Sequence, residues 1–112
     1  MGWDRCAPGS IDTELAFAPP ENAVIIVKDT YSCITDALIN LLEQKNISTL
    51  HIAGCDTNMC VTQSATALFE THCYRPLILV RYCASHSGPE YHEWALKLLE
   101  KSVGRQQIWT ME

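Results

Sequence analysis

The chain has 112 residues, of which 47% are hydrophobic and 19% charged, a composition that supports one folded domain and argues against disorder. The net charge of -5 comes with no basic stripe, which excludes an ordinary nucleic-acid-binding surface. No apolar run reaches membrane-spanning length and the N-terminus does not resemble a secretory signal, so we expect a cytoplasmic protein that binds no membrane.

The first half of the chain predicts one strand and one helix. Residues 1–20 are punctuated by prolines and should be mostly irregular, with one turn near Asp12–Ala16. The β-branched run Ala23–Lys28 predicts a strand covered on both faces. A helix follows with Thr35 as its N-cap, and it ends at Lys45-Asn46. Its apolar stripe consists of Ala37, Leu38, Leu41 and Leu42.

The second half continues the alternation of strands and helices. The predicted elements are a strand at Ile47–Ala53, a helix from about Asn58 to His72, a strand at Leu77–Val80 opened by Pro76, a helix at Tyr91–Val103 that stops at Gly104, and a short strand at Gln106–Trp109. In the last helix, Trp94, Leu98 and Leu99 are expected to face inward. This order predicts a single α/β domain over residues 1–112, built on a parallel sheet.

The turn Gly54–Val61, with the sequence GCDTNMCV, joins a strand to a helix. Cys60 lies in the first helical turn, where unpaired backbone N–H groups and the positive end of the helix dipole favour a thiolate. Cys60 is therefore a candidate nucleophile. The alternative is a small buried residue, the commoner role of a free cysteine.

Three polar features are expected at the carboxyl edge of the sheet, where ligands bind in such folds. Lys28 ends the first strand, the turn of Cys60 ends the second, and Tyr82–His86 follow the third. The ammonium of a lysine at the end of an apolar strand needs a partner, although an ordinary solvated lysine is the alternative. His86 lies in the loop nearest the site and is a candidate for orienting a substrate.

The cysteines do not indicate disulfides or zinc. The six cysteines are spread along a sequence of strand and helix patterns, not along loop-rich sequence, and they occur without a CxxC pair or a secretory signal: Cys6, Cys33, Cys55, Cys60, Cys73 and Cys83. We expect free thiols, and we expect neither a metal nor a cofactor, because Cys55 and Cys60 have the wrong spacing for zinc and no histidine pair completes a site.

Four segments of the sequence resemble the isochorismatase-like cysteine hydrolases, the superfamily that includes nicotinamidases and N-carbamoyl amidohydrolases. They are WDRCAPGSIDTEL from Trp3, VIIVKDTYS from Val24, TDALINLLEQKNISTLHIAG from Thr35, and GCDTNMCV. The resemblance runs in order from residue 3 to residue 109. It implies a Rossmann-like three-layer sandwich that hydrolyses a small-molecule amide, a related C–N compound or a vinyl ether.

The resemblance also implies roles for individual residues. Cys60 matches the family's nucleophile and Lys28 its catalytic lysine. The N–H groups of Cys60 and Asp56 match the donors that hold the oxyanion, with Cys55-Asp56 as a cis peptide bond. Positions near the substrate pocket are matched by Tyr31, Ile34, Asn58 and His86. The implied chemistry is acyl transfer, in which a thiolate attacks an amide carbonyl and water cleaves the resulting thioester.

The chain lacks a counterpart of the family's first two strands. The first of these carries the aspartate that takes the thiol proton, and both lie between the strands that end at Lys28 and Gly54. Asp4, Asp12 and Asp29 are the other carboxylates to consider, and spacing supports none of them.

Two further positions depart from the family pattern. Tyr82 falls where relatives have an acidic residue, and Arg5 falls where nicotinamidases have a metal-binding histidine. The second departure also predicts that no metal is bound.

Several interpretations stay open at this point. The chain is a fragment of a cysteine hydrolase, a catalytically impaired pseudoenzyme with an oligomerisation role, or a homo-oligomer in which a second copy completes the sheet. The last is suggested by Val24–Val27, because exposed edges of apolar strands pair readily. From a different class, a thiol redox protein would use Cys55 and Cys60.

Overall fold

The structure, a computed structural model, describes Leu15 and residues 17–110. Its elements are helices α1 (Asp36–Gln44), α2 (Thr62–Glu70) and α3 (Pro89–Ser102) and strands β1 (Thr49–Cys55), β2 (Arg75–Ala84) and β3 (Ile108–Trp109). A π-helical turn, Thr57–Val61, leads into α2, and a 3-10 turn, Arg105–Gln107, precedes β3. None of the helices in these ranges is long and apolar enough to cross a membrane. The turn predicted near Asp12–Ala16 lies outside the described residues, apart from Leu15.

The three strands form one parallel sheet in the order β1-β2-β3, which confirms the predicted α/β fold. Thr49 pairs with Arg75 and the register is kept as far as Ile52 and Ile78. Gly54 then pairs with Cys83, so β2 contains surplus residues at an irregularity between these pairs. β2 is therefore longer than the predicted strand Leu77–Val80, and its carboxyl end at Ala84 lies closer to the turn of Cys60.

The strand predicted at Ala23–Lys28 is wrong. This segment is not in a strand, and within the described residues it pairs with no other. Val24, Ile25 and Val27 are 58%, 59% and 90% exposed. The run has the composition of a buried strand, but a strand forms only when its backbone groups find a ladder partner, and β1 pairs with β2 alone.

Helix α1 begins and ends close to the predicted positions. Thr35 is its N-cap, and the Thr35 hydroxyl accepts a hydrogen bond of 3.1 Å from the N–H of Leu38. Of the predicted apolar stripe only Leu42 is fully buried. Leu38 and Leu41 are partly covered and Ala37 is exposed, so most of the predicted stripe is not in the core.

The core lies between β2 and the helices α2 and α3. It consists of Val61, Ala65, Ile78, Cys83, Leu99 and Val103. The helix predicted from Asn58 to His72 is confirmed in outline, as the π-helical turn followed by α2.

In α3 the inward-facing residues differ from the prediction. Leu99 is fully buried as expected, and Ala95 one turn earlier is its buried neighbour. Trp94 and Leu98 are 56% and 61% exposed, so their assignment to the core is wrong. Trp94 directly precedes Ala95, and Leu98 directly precedes Leu99. Because successive helix residues are rotated by about 100°, Trp94 and Leu98 point away from the buried side of α3. The Trp94 ring instead meets Tyr91 edge-to-face on the outer surface.

Candidate active site

The turn after β1 places Cys60 at the start of a helix. Gly54 has a φ of 119°, a conformation that side chains rarely adopt, so a glycine is needed where the chain leaves β1. The Cys55-Asp56 peptide bond is cis, the geometry that the family resemblance implies at this position. The Asp56 carbonyl accepts hydrogen bonds from the N–H groups of Met59 (3.0 Å) and Val61 (3.1 Å). Cys60 lies between these donors and is half-buried.

Lys28 and Cys60, 32 residues apart in sequence, meet in the structure. The Lys28 Nζ lies 3.7 Å from the Cys60 Sγ. It also donates to the backbone carbonyls of Thr30 (2.5 Å) and Tyr31 (3.1 Å), so a short loop holds the ammonium against the sulfur. An ammonium in this position can donate a hydrogen bond to a thiolate and offset its charge.

A carboxylate partner for this pair is absent from the described part of the chain. The ion pairs found there involve His86 and Arg105, not Lys28. Asp29 is exposed and is hydrogen-bonded neither to Lys28 nor to Cys60. The family's thiol-deprotonating aspartate therefore has no equivalent among these residues.

A cleft of about 380 Å³ lies between Lys28 and β1. Six successive residues of β1, from Leu50 to Cys55, line it. Because successive side chains point to opposite faces of a strand, the cleft follows the edge of β1, and this edge is the one not paired with β2. The remaining lining is mostly apolar and includes Cys33, Leu38, Val61 and Leu68, with Cys60 at the same cleft.

A second polar cluster ties the loop after β2 to the turn of Cys60. The Asp56 carboxylate contacts the His86 ring through Oδ2 and accepts the His86 backbone N–H through Oδ1 at 3.3 Å. Ser85 donates to the Asn58 side-chain oxygen at 2.6 Å. The His86 side chain is 83% exposed and that of Asp56 13%, so the imidazole lies at the surface above a largely covered carboxylate.

The predicted pocket residues are therefore divided between two places. Asn58 and His86 belong to the polar cluster on the turn, and neither lines the cleft. Tyr31 is 56% exposed and contributes its backbone carbonyl to Lys28. Ile34 is half-buried, and its N–H binds the Ser32 hydroxyl at 3.1 Å.

Two contacts that support the site were not predicted from the sequence. Thr57 is completely buried, and its Oγ1 lies 2.7 Å from the Nδ1 of His92 on α3. The Ser64 hydroxyl on α2 accepts the backbone N–H of Cys33 at 2.9 Å, which fixes the loop after Lys28 to that helix. A buried threonine in a strand-to-helix turn signals a polar partner, but only the packing of α3 identifies it.

The five cysteines that the structure describes are free thiols. Cys55 and Cys73 are exposed, Cys33 and Cys60 are partly covered, and Cys83 is buried. Burial raises the pKa of the Cys83 thiol, and a hydrogen bond from the Gly54 backbone opposes the shift. Within residues 17–110 no group of three or more metal-binding side chains comes together.

The chain is similar to a number of solved structures, among them the following three. An isochorismatase-like hydrolase from Alkaliphilus metalliredigens is 28% identical to this chain with a TM-score of 0.70. The matched region covers 78% of this chain and 47% of the hydrolase. The nicotinamidase PncA from Bacillus subtilis is 33% identical with a TM-score of 0.62, covering 69% and 42%. The nicotinamidase SaPncA from Staphylococcus aureus is 26% identical with a TM-score of 0.67, covering 76% and 52%. The chain thus spans about half the length of these proteins.

A comparison with curated protein sequences gives no match. A family model described as the Isochorismatase domain matches residues 4–110, nearly the whole chain. With this match, and with a strand-to-helix turn that presents a cysteine to a lysine, the chain belongs to the isochorismatase family.

Proposed function

We propose that this chain is a cysteine hydrolase of a small amide or related C–N compound, with Cys60 as the nucleophile and Lys28 as its charge partner. The observation that carries the proposal is the 3.7 Å contact between the Lys28 Nζ and the Cys60 Sγ. The family supports the reaction class, and the structural neighbours named nicotinamidases support a small amide as substrate.

In the first half of the reaction, the Cys60 thiolate attacks the carbonyl carbon and a C–S bond forms. The carbonyl oxygen becomes an oxyanion that accepts hydrogen bonds from the backbone N–H groups of Cys60 and Asp56. The C–N bond then breaks, and the Lys28 ammonium gives a proton to the departing nitrogen. The products of this half are ammonia, or an amine from a substituted amide, and a thioester on Cys60.

In the second half, water adds to the thioester and passes a proton to the neutral Lys28 amine. The C–S bond breaks, the carboxylic acid leaves, and the thiolate–ammonium pair is restored. We propose that a substrate bound at this pair contacts Tyr31 and Ile34 in the loop after Lys28, and that it reaches Asn58 and His86 in the separate polar cluster on the turn. The Asp56 carboxylate contacts the His86 ring and would orient it.

The reactivity of the individual thiols tests the thiolate–ammonium pair. If accessibility alone decided the rate, iodoacetamide would alkylate the exposed Cys55 and Cys73 before the half-buried Cys60. We expect the opposite order, because the thiolate is the reactive form. Lys28→Met should slow the alkylation of Cys60 alone, and the matched control Lys45→Met, at the end of α1, should not.

The alkylation is followed by timed quenching and peptide mass spectrometry. Rates that follow exposure and ignore Lys28→Met would contradict the proposed pair. Ammonia release from nicotinamide and a panel of small primary amides then tests hydrolysis. We expect Cys60→Ala to abolish the release and Cys55→Ala to preserve it, and no release from any amide by the parent chain would contradict the hydrolase.

A further inference from the structure

Helix α3 carries a second apolar face, which the sheet does not cover. Tyr91, Trp94 and Leu98, here called the α3 stripe, are 45%, 56% and 61% exposed. Their spacing of three and four residues places them on one side of the helix. The Tyr91 and Trp94 rings meet edge-to-face with their centroids 5.2 Å apart. A large exposed apolar patch of this kind commonly marks an interaction surface, and tyrosine and tryptophan are enriched in such surfaces.

The position of α3 in the fold explains why the α3 stripe is uncovered. The helix connects β2 to β3, and β1 forms the opposite edge of the sheet. It packs on the core through Ala95, Leu99 and Val103. A further strand beside β1 would extend the sheet away from α3. The exposure of the stripe therefore does not depend on what pairs with the second edge of β1.

The charges of α3 are separated along the helix. Glu90 and Glu93 lie near its beginning, whereas Lys97 and Lys101 lie in its second half. All four side chains are exposed, and within the part of the chain that the structure describes none of them forms an ion pair. A cleft of about 280 Å³ near the end of the helix is lined by the two lysines together with Glu100 and Arg105. One end of α3 is therefore acidic and the other mainly basic.

We propose that two copies of this chain associate through α3, with the two helices antiparallel and the α3 stripe of each copy packed against that of the other. A two-fold axis perpendicular to both helices sets each flank of α3 against the same flank of the partner, in reversed order. Glu90, Lys97 and Lys101 are spaced by seven and four residues, so they share the flank beside the stripe. Glu90 of each copy therefore faces the basic end of the other.

The charge pattern favours a second copy as the occupant of this surface. An antiparallel pair sets each acidic half of α3 against a basic half, and the two helix dipoles also oppose each other favourably. In a parallel pair, glutamate would face glutamate and lysine would face lysine. The same patch is used on both copies, so the assembly closes at two.

The size of the surface sets the expected strength of the dimer. Covering the exposed parts of Tyr91 and Trp94 would bury roughly 200 Å² of each copy. Leu98 and the aliphatic stems of the lysines add to this area. Stable interfaces bury about 800 Å² of each partner. We therefore expect a weak dimer that forms at high protein concentration, also because each copy carries a net charge of -5.

Sedimentation velocity across a wide range of protein concentrations tests the association. We expect a monomer–dimer equilibrium in the parent chain. Trp94→Ser should weaken the dimer at least about tenfold, because tryptophans at the centre of an interface carry much of the binding free energy. The matched control is Tyr82→Ser on β2, where the side chain is 58% exposed, and it should leave the dimer intact. Circular dichroism checks the fold of both variants.

Charge reversal tests the antiparallel order of the helices. Glu90→Lys alone and Lys101→Glu alone should each weaken the dimer about threefold or more, since like charges then face each other. The double variant should restore the association, because the two charges have changed places. Glu43→Lys on α1 and Lys45→Glu just after it alter the net charge by the same amounts and should not weaken the dimer in this way.

Zero-length crosslinking locates the contact in the parent chain. A carbodiimide joins a carboxylate to an amine only where the two touch. Within one copy Glu90 and Lys101 are about 16 Å apart along the helix, so a crosslink between them forms only between copies. In a mixture of ¹⁵N-labelled and unlabelled chains, mass spectrometry should find Glu90 joined to Lys101 or Lys97 of the differently labelled chain.

The inference does not rest on the proposed function, and Cys60→Ala should leave the association unchanged. The proposal is overturned by a monomer at every concentration, by crosslinks between copies that leave out α3, or by equal weakening in Trp94→Ser and Tyr82→Ser. It is also overturned by a double charge variant that does not regain the dimer, or by a mass that grows without limit.

Discussion

The contact between Thr57, in the turn of the candidate site, and His92 on α3 should contribute to the free energy of unfolding of the domain. Thr57→Val keeps the shape of the side chain but removes its hydroxyl, which lies 2.7 Å from the His92 Nδ1. Thr57 is completely buried, so water cannot easily replace the lost partner of His92. A buried or partly buried polar group left unsatisfied costs about 1–3 kcal/mol.

The expected effect is large enough to measure by thermal unfolding. With an unfolding entropy of about 2.1 cal/mol/K per residue, 112 residues give roughly 0.24 kcal/mol/K. A loss of about 1–3 kcal/mol then lowers the Tm by about 4–13 °C. Circular dichroism at 222 nm follows the transition, and urea unfolding gives an independent free energy.

Thr57→Ser is the matched control for this prediction. It keeps the hydroxyl and loses one methyl group, so its Tm should fall less than that of Thr57→Val. A valine variant as stable as the parent chain, or less harmful than the serine variant, would refute the view that the hydroxyl–imidazole contact holds α3 to the turn of Cys60.

Three other substitutions or conditions test the packing and the thiol chemistry. Leu99→Ala should destabilise the domain by about 2–5 kcal/mol in urea, because Leu99 is fully buried, whereas Leu98→Ala should change stability by less than about 0.5 kcal/mol. Thr35→Ala should cost about 1 kcal/mol by removing the N-cap of α1, and Thr35→Ser should restore most of it. Because burial raises the pKa of Cys83 above the ordinary thiol value of 9.0, the unfolded chain loses this proton first as the pH rises. Stability should therefore decline above about pH 9, and Cys83→Ala should decline less when urea unfolding is measured between pH 7 and pH 10.5.

The elements that the sequence predicted well are those whose partners lie within the chain. Helix α1 begins after Thr35 because the hydroxyl needs only a backbone N–H three residues away, and the strand before Cys60 needs only β2 beside it. Local pattern is sufficient in such cases. The same reasoning failed for Ala23–Lys28, since composition indicates what a strand would bury but not whether a neighbour is present to pair with it.

The candidate site shows a similar division. The strand-to-helix turn of Cys60 can be predicted from its motif, and the family resemblance singles out Lys28. The structure brings these two side chains together, while their roles stay a prediction. The distribution of Asn58 and His86 into a separate cluster could not be predicted, because it depends on how the loop after β2 packs against the turn of Cys60. Periodicity likewise predicts that α3 is amphipathic, but it does not fix which residues face the core. An error of one position is enough to place the exposed Leu98 in the core.

The loop that holds Lys28 is anchored mainly by contacts within itself. The Lys28 ammonium donates to the backbone carbonyls of the residues two and three positions later in the chain. A hydrogen bond from the Cys33 N–H to the Ser64 hydroxyl connects the loop to α2. Regions with few buried contacts open at lower free energy than the core they rest on. Detachment of this loop would part the ammonium from the sulfur while β2, α2 and α3 remain folded, so heating should separate the Lys28 and Cys60 side chains reversibly at temperatures below those that melt the domain.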